Sequence, residues 1–271
     1  MQINDLDKLT KSSLIAAYKA GIEIMQIYRQ KKFKVELKSD NSPLTLADKN
    51  AHKIIINYLK NTNIPIISEE GFIEDYYQRK LWDYCWLVDP LDGTREFVKR
   101  NGEFTVNVAL IENGHPILGV IYAPVKDCIY YAVNKQAFKV NNLPDYQENE
   151  SFFDFIDINR KSLPGTEKRG HTVVLASVSH RNRETDTYIK KLKFKGQNIK
   201  VESVGSSLKF CMIAEGKADI YPRFSKIMEW DTAAGQALVE AVGGSVLNAE
   251  TGKRLVYNKQ NLVNPWFIAK R

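Results

Sequence analysis

The chain has 271 residues, 44% of them hydrophobic and 26% charged, with a formal net charge of +7. That length and apolar content can bury a sizeable core as one large domain or two closely packed halves. No stretch reaches the roughly 18 consecutive apolar residues of a membrane span, and the opening residues Gln2, Asn4, Asp5 and Asp7 lack the basic and apolar segments of a secretory signal. Lys and Arg are spread throughout, so the positive excess reads mainly as a soluble basic surface and only weakly as a preference for anionic ligands. Nucleic acid is not an expected partner, and the chain shows neither internal repeat nor low-complexity tract. Cys85, Cys128 and Cys211 are odd in number, lack paired spacing and sit among apolar neighbours. They read as reduced, buried thiols of a cytoplasmic protein, with a peripheral position at the inner face of the cell membrane left open.

In chain order, Leu14, Tyr18, Met25 and Tyr28 recur at a spacing near four and predict an amphipathic helix. A second helix, carrying Ile54, Ile55, Tyr58 and Leu59, opens at Thr45-Leu46-Ala47-Asp48. This is a capping-box pattern that gives Asp48 a structural role of its own. Ile66-Ile67-Ser68-Glu69-Glu70-Gly71 is a short apolar run ending in acids at a glycine turn. Trp86, Leu87 and Val88 predict a buried strand, which Pro90 and Gly93 end by bending the backbone. Phe104 to Ile111 and Ile117 to Tyr122 predict strands around Asn113-Gly114, a strong hairpin signal. Residues 140–170 are polar, contain Asn141-Asn142-Leu143-Pro144 and Leu163-Pro164-Gly165, and predict an insertion or mobile segment that packs in part through Phe152, Phe153, Phe155 and Ile156. Beyond it come a strand at Val173 to Ala176, a helix after Ser207, a strand at Ala218 to Tyr221 and a helix after Thr232 ending at Gly243-Gly244. Asp231 is the natural N-cap of that last helix. Strands and helices in this alternation predict layered α/β packing.

Asp89 and Asp92 project from the turn after the Trp86 strand, with the Thr94 hydroxyl at its exit. An Asp-Gly pair after a strand is usually only a turn, but the extended string is less easily dismissed. Buried carboxylates about 4 Å apart repel by roughly 4 kcal/mol at an effective dielectric near 20, so a site gathering several needs a cation. Hard oxygen donors point to Mg²⁺ rather than zinc.

The Ser68-Glu69-Glu70, Asp89-Pro90-Leu91-Asp92-Gly93-Thr94 and Trp230-Asp231-Thr232-Ala233-Ala234-Gly235 segments resemble the metal motifs of the inositol monophosphatase superfamily of Mg²⁺-dependent, Li⁺-sensitive phosphatases. Residues 38–45, 95–107, 205–211 and 221–224 are similar to its bacterial 3'(2'),5'-bisphosphate nucleotidase branch. The likeness covers nearly the whole chain, although residues 140–170 look longer than the family usually carries there. It implies an αβαβα sandwich with the metal site between two halves, residues 1–139 and 171–271. It further implies that Glu69, Asp89 and the Leu91 carbonyl hold one Mg²⁺, and that Asp89, Asp92 and Asp231 hold a second. A third, weaker ion would lie near Glu69, with Glu70 fixing the ligands' orientation. Asp48 and Thr94 would activate the attacking water. Substrate contacts would come from Gly93, Thr94, Ser206, Lys209, Arg223 and Asp231, and less securely from His180. Gly205-Ser206-Ser207 would also present helix N-terminal N–H groups to an anion. The expected activity is release of the 3'-phosphate from a bisphosphorylated nucleotide, adenosine 3',5'-bisphosphate or its 5'-phosphosulfate analogue. An inositol or sugar phosphatase and a non-catalytic phospholigand-binding protein are the alternatives, and oligomeric state is left open.

Overall fold

The computed structural model describes residues 6–31, 33–38, 43–144, 151–165, 170–179, 181–194 and 198–271. In order these form α1 (Leu6–Tyr28), β1 (Val35–Leu37), β2 (Pro43–Thr45), α2 (Leu46–Leu59), β3 (Ile66–Ser68), α3 (Tyr76–Arg79), β4 (Tyr84–Asp92), α4 (Thr94–Val98), β5 (Thr105–Glu112) and β6 (His115–Ala123). Then follow β7 (Cys128–Val133), β8 (Gln136–Asn141), α5 (Ser151–Asn159), β9 (Lys161–Leu163), β10 (Thr172–Ser177) and α6 (Arg183–Phe194). The chain closes with β11 (Ile199–Val204), α7 (Leu208–Ala214), β12 (Ile220–Arg223), α8 (Ala233–Ala241), β13 (Ser245–Asn248) and β14 (Phe267–Lys270).

β3 to β9 make a seven-stranded sheet in sequence order, and β11-β10-β12-β14-β13 make a five-stranded one. Strand alternation then sorts the side chains into layers. Trp86 and Val88 of β4, with Val106, Val108 and Leu110 of β5, pack under α1 and α2. Their neighbours Cys85, Leu87, Ala109 and Ile111 face the opposite way, into a core shared with α7, α8 and the five-stranded sheet. Val174 of β10 and Ile220 of β12 point outward again, onto Ile189 of α6. The result is the αβαβα sandwich implied by the resemblance. All three cysteines are free and buried. Among the described residues no helix is long and apolar enough to cross a membrane.

The Asn113-Gly114 hairpin forms as predicted between β5 and β6, with both turn residues left-handed at φ of 48° and 78°. The strand predicted from Ala218 instead begins at Ile220, because Ala218 N donates to Met212 O and finishes the turn after α7. Of residues 140–170, α5 buries Phe152 and Ile156, and β9 pairs with β8 as the edge of the larger sheet. Between the sheets α8 lies directly on β6. A Cβ added to Gly119 would stand 2.6 Å from Ala234 O and 2.8 Å from Ala237 Cβ, so only a bare backbone fits under the helix.

Candidate active site

The acidic centre follows from how β3, β4 and α8 end. β3 runs parallel to β4, and Glu69 N donates to Val88 O at 3.1 Å, which sets Glu69 beside Asp89. Asp89 is 1% exposed, and its Oδ1 accepts from Leu91 N at 3.0 Å. Asp231 precedes α8, but it is not the cap: that position falls to Thr232. The Asp231 Oδ2 instead accepts from Met228 N at 2.8 Å, closing the approach turn, and the residue lines the cleft. Ligand atoms of Glu69, Asp89 and Asp231 thereby come within 4.8 Å of one another. Asp92 stands outside that group. Its Oδ2 accepts from Ser207 N at 2.5 Å and from Asn107 Nδ2 at 3.5 Å.

Burial, followed by the charges of Glu69, Asp92 and Asp231, holds the Asp89 carboxyl well above the usual range. Burial, then Asp92 and Glu69, pushes Asp231 up to about 8. Asp92 is pushed up to about 6 by burial, with Lys209 pulling the other way. Glu69 is partnered by Lys38 at 2.6 Å, and the same ammonium reaches Glu70. Among the described residues no lysine or arginine pairs with Asp89 or Asp231. A half-buried cluster of hard oxygen donors with this excess of acids fits a divalent cation such as Mg²⁺.

Thr45 and Asp48 form the expected capping box at α2. The box uses only one carboxylate oxygen. Asp48 Oδ2 accepts from Thr45 N at 2.7 Å and Thr45 Oγ1 at 2.6 Å, leaving Oδ1 to face Thr94 Oγ1 at 3.0 Å. The helix cap and the contact with Thr94 are therefore carried by different oxygens of one side chain. Thr94 is delivered by Gly93, whose φ of 91° turns the chain from β4 into α4. The Asp48 carboxyl is raised by burial, against the pull of its hydrogen bonds.

These groups open on a cleft of about 620 Å³ lined by Asp92, Thr94, Ser206, Lys209, Arg223 and Asp231, among others. Its far wall is the turn at residues 204–207, held at every residue. Lys209 Nζ donates to Val204 O at 3.0 Å and Ser206 O at 2.5 Å, Glu103 Oε2 accepts from Gly205 N at 2.8 Å, and Asp92 accepts from Ser207 N. The helix N-terminus thus gives one of its N–H groups to a carboxylate of the protein itself. Lys209 is 3% exposed, lies over the Tyr221 ring, and is pushed down to about 8 by burial, with Asp92 opposing. Two of its protons are committed to backbone carbonyls. Arg223 Nη2 donates to Lys226 O at 3.0 Å, while its Nε is buried with no partner among the described residues, as are Ser225 Oγ and Trp230 Nε1, which line the same cleft. Sequence reasoning quoted Trp230, Glu103 and Lys38 within motifs but gave them no role, and missed Ser225. His180 lies outside the described residues.

Fold and acidic centre together define the class. The model of the Inositol monophosphatase family matches residues 5–270, and the chain belongs to that family. It is 43% identical over 255 residues to the 3'(2'),5'-bisphosphate nucleotidase CysQ of Escherichia coli (strain K12), covering 93% of this chain and 95% of that protein. The crystal structure of CysQ from Bacteroides thetaiotaomicron is 47% identical and superposes with a TM-score of 0.89 over 96% of both chains. The fold alone is shared with extragenic suppressor protein suhB from Bartonella henselae, 24% identical with a TM-score of 0.71 over 96% of this chain and 92% of that one.

Proposed function

We propose that the chain is a Mg²⁺-dependent 3'(2'),5'-bisphosphate nucleotidase that removes the 3'-phosphate of adenosine 3',5'-bisphosphate, giving AMP and phosphate. It acts on the same group of 3'-phosphoadenosine 5'-phosphosulfate. The observation that carries this reading is the Glu69, Asp89 and Asp231 cluster on the cleft, beside Thr94 and the Asp48 carboxylate that Thr94 faces. The near-full-length likeness to CysQ proteins supports the substrate. Glu69, Asp89 and the Leu91 carbonyl would hold one Mg²⁺, Asp89, Asp92 and Asp231 a second, and Glu69 would border a weaker third. Divalent ions bound there lower the pKa of a water and offset charge on phosphoryl oxygens.

The protein's own groups do the rest. Thr94 Oγ1 orients the attacking water and passes its proton toward Asp48 Oδ1, which Thr45 holds in place. Glu70, paired with Lys38, keeps Glu69 oriented. Arg223 Nε and Ser206 receive the second phosphate and Gly93 and Thr94 border the first, while the base contact assigned to His180 rests on the resemblance alone. Lys209 shapes the turn that carries Ser206 and, through its remaining proton, reaches that phosphate. The buried free thiols support a reducing, cytoplasmic setting.

Phosphate release from adenosine 3',5'-bisphosphate, inositol 1-phosphate and fructose 1,6-bisphosphate, with and without Mg²⁺ and with Asp92→Asn as the blank, tests the proposal. Strong preference for the nucleotide is expected. Preference for inositol or sugar phosphate would keep the chemistry and overturn the pocket assignment, and Mg²⁺-independent or absent turnover on all three would leave a phospholigand-binding protein.

A further inference from the structure

Glu229 stands two residues before Asp231, is fully buried, and has no part in the chemistry above. Its Oε2 accepts from Asn258 N at 2.6 Å, and its Oε1 accepts from Lys259 N at 3.1 Å and from Lys259 Nζ. Lys259 Nζ also donates to Val256 O and to Asn264 Oδ1, each at 3.0 Å, so its three protons are all placed. Asn264 Nδ2 returns to the Asp231 turn, donating to Thr232 Oγ1 at 2.7 Å and Met228 O at 3.2 Å. Main-chain bonds fix the same pairing: Glu229 N donates to Leu262 O and Asn264 N to Ile227 O, both at 2.9 Å.

The other end of this network reaches the larger sheet. Arg79 Nη1 donates to Asn258 Oδ1 at 2.6 Å, and Asn258 Nδ2 donates to Arg79 O at 2.7 Å. Arg79 also donates to Lys259 O from both terminal nitrogens at 3.2 Å. It is 3% exposed and closes α3, which joins β3 to β4, the two strands that lead to Glu69 and Asp89. A continuous line of hydrogen bonds therefore runs from the segment bearing two of the acids to the turn bearing the third.

We propose that Glu229 is a positioning residue which, through Lys259, Asn258 and Arg79, registers Asp231 against Glu69 and Asp89 across the junction of the two sheets. Replacing a buried ion pair by apolar side chains is often neutral for stability, so packing alone gives no reason for one here. What an apolar pair lacks is direction: Glu229 ties two consecutive N–H groups and an ammonium to one point. Groups that orient metal ligands typically alter metal affinity by about 10- to 100-fold when removed.

The inference rests on the reading of Asp231 as a Mg²⁺ ligand, and the experiment separates the two. Mg²⁺ binding to the metal-free full chain is measured by calorimetry, alongside thermal melting, for wild type, Glu229→Gln, Lys259→Met, Lys259→Arg, Asp231→Asn and Glu215→Gln. The last is a matched control, a buried ion-paired carboxylate remote from the cleft. Glu229→Gln and Lys259→Met should bind Mg²⁺ about 10-fold or more weakly, Lys259→Arg should recover most of the affinity, and Glu215→Gln should melt lower with affinity unchanged. Should Glu229→Gln not fold, Lys259→Met carries the test, since the Lys259 side chain is 27% exposed. Wild-type affinity in the Glu229 or Lys259 variants, with weakened binding in Asp231→Asn, overturns the inference alone. Wild-type affinity in Asp231→Asn overturns the metal reading and the inference with it.

Discussion

Glu215 and Asp231 are both carboxylates withdrawn from water, yet their proton affinities move in opposite directions. Burial pushes each upward. At Glu215 that push is outweighed by Lys139, Lys217 and the Tyr130 hydroxyl, which approach at 2.5, 2.5 and 2.6 Å, and its carboxyl ends below the usual range. At Asp231 the neighbours are Asp92 and Glu69, and the carboxyl rises to about 8. One acid is satisfied by the polypeptide, whereas the other is assembled with its like, an arrangement that the proposed Mg²⁺ would complete. Burial by itself therefore does not mark a functional carboxylate; the sign of its neighbours does.

The sharpest way to break this contrast is to neutralise one acid of each kind. Asp89→Asn should lower kcat/KM by about 10³-fold, corresponding to roughly 4 kcal/mol of lost transition-state stabilisation, while raising the melting temperature of the metal-free protein by about 2 °C. Glu215→Gln should do the reverse, losing about 3 kcal/mol of stability with kcat unchanged. If both variants lose stability together, the contrast fails. Next in size, Asp48→Asn and Thr94→Val should each lower kcat by about 10²-fold with Mg²⁺ affinity retained, as calorimetry would report. Arg223→Ala should raise KM for adenosine 3',5'-bisphosphate about 10-fold, the loss of one charge-assisted hydrogen bond, and leave inositol 1-phosphate kinetics untouched. Lys209→Met, by loosening residues 204–207 and hence Asp92, should slow both substrates in steady-state assays.

The last prediction concerns pH. An aspartate that titrates higher in the folded than in the unfolded chain stabilises the fold only in its protonated form. With Asp92 moved up to about 6 and Asp231 to about 8 from a reference of 3.8, the metal-free fold binds more protons than the unfolded chain across that window. Its stability is then greatest at the acid end and falls as pH rises through 6 toward 8. Scanning calorimetry of metal-free protein should show higher melting near pH 5 than near pH 8, and saturating Mg²⁺ should abolish the difference. A metal-free protein that melts higher at the alkaline end would mean the acids are compensated after all.

What could be read before folding was local. The capping box at Thr45, the Asn113-Gly114 hairpin and the strand that turns at Gly93 depend on neighbours within a few residues, although Pro90 lies inside that strand, at its irregularity between Asp89 and Asp92, and does not end it. Asp231 deceived for the same reason: its position before a helix is a capping signal, and nothing nearby in sequence says that its oxygen turns back to Met228 N. Lys209 could be placed near the cleft by resemblance, but its bonds to Val204 O and Ser206 O depend on a left-handed Ser206, at φ of 46°. Glu229 stands at the head of the Asp231 motif, but its network was invisible, since Lys259 and Arg79 belong to no short motif and the members lie up to 180 residues apart.

Under α8 lies Gly119, where even a methyl group would collide with Ala234 O. The turn that carries Asp231 leads directly into this helix, so the height at which α8 rides over the sheet also sets how far Asp231 stands from Asp89. The gap between two of the clustered acids is thereby gauged by the thinness of a strand, a length fixed by covalent geometry rather than by any flexible side chain. Enlarging position 119 would act as a shim, prying the acids apart without altering any of them.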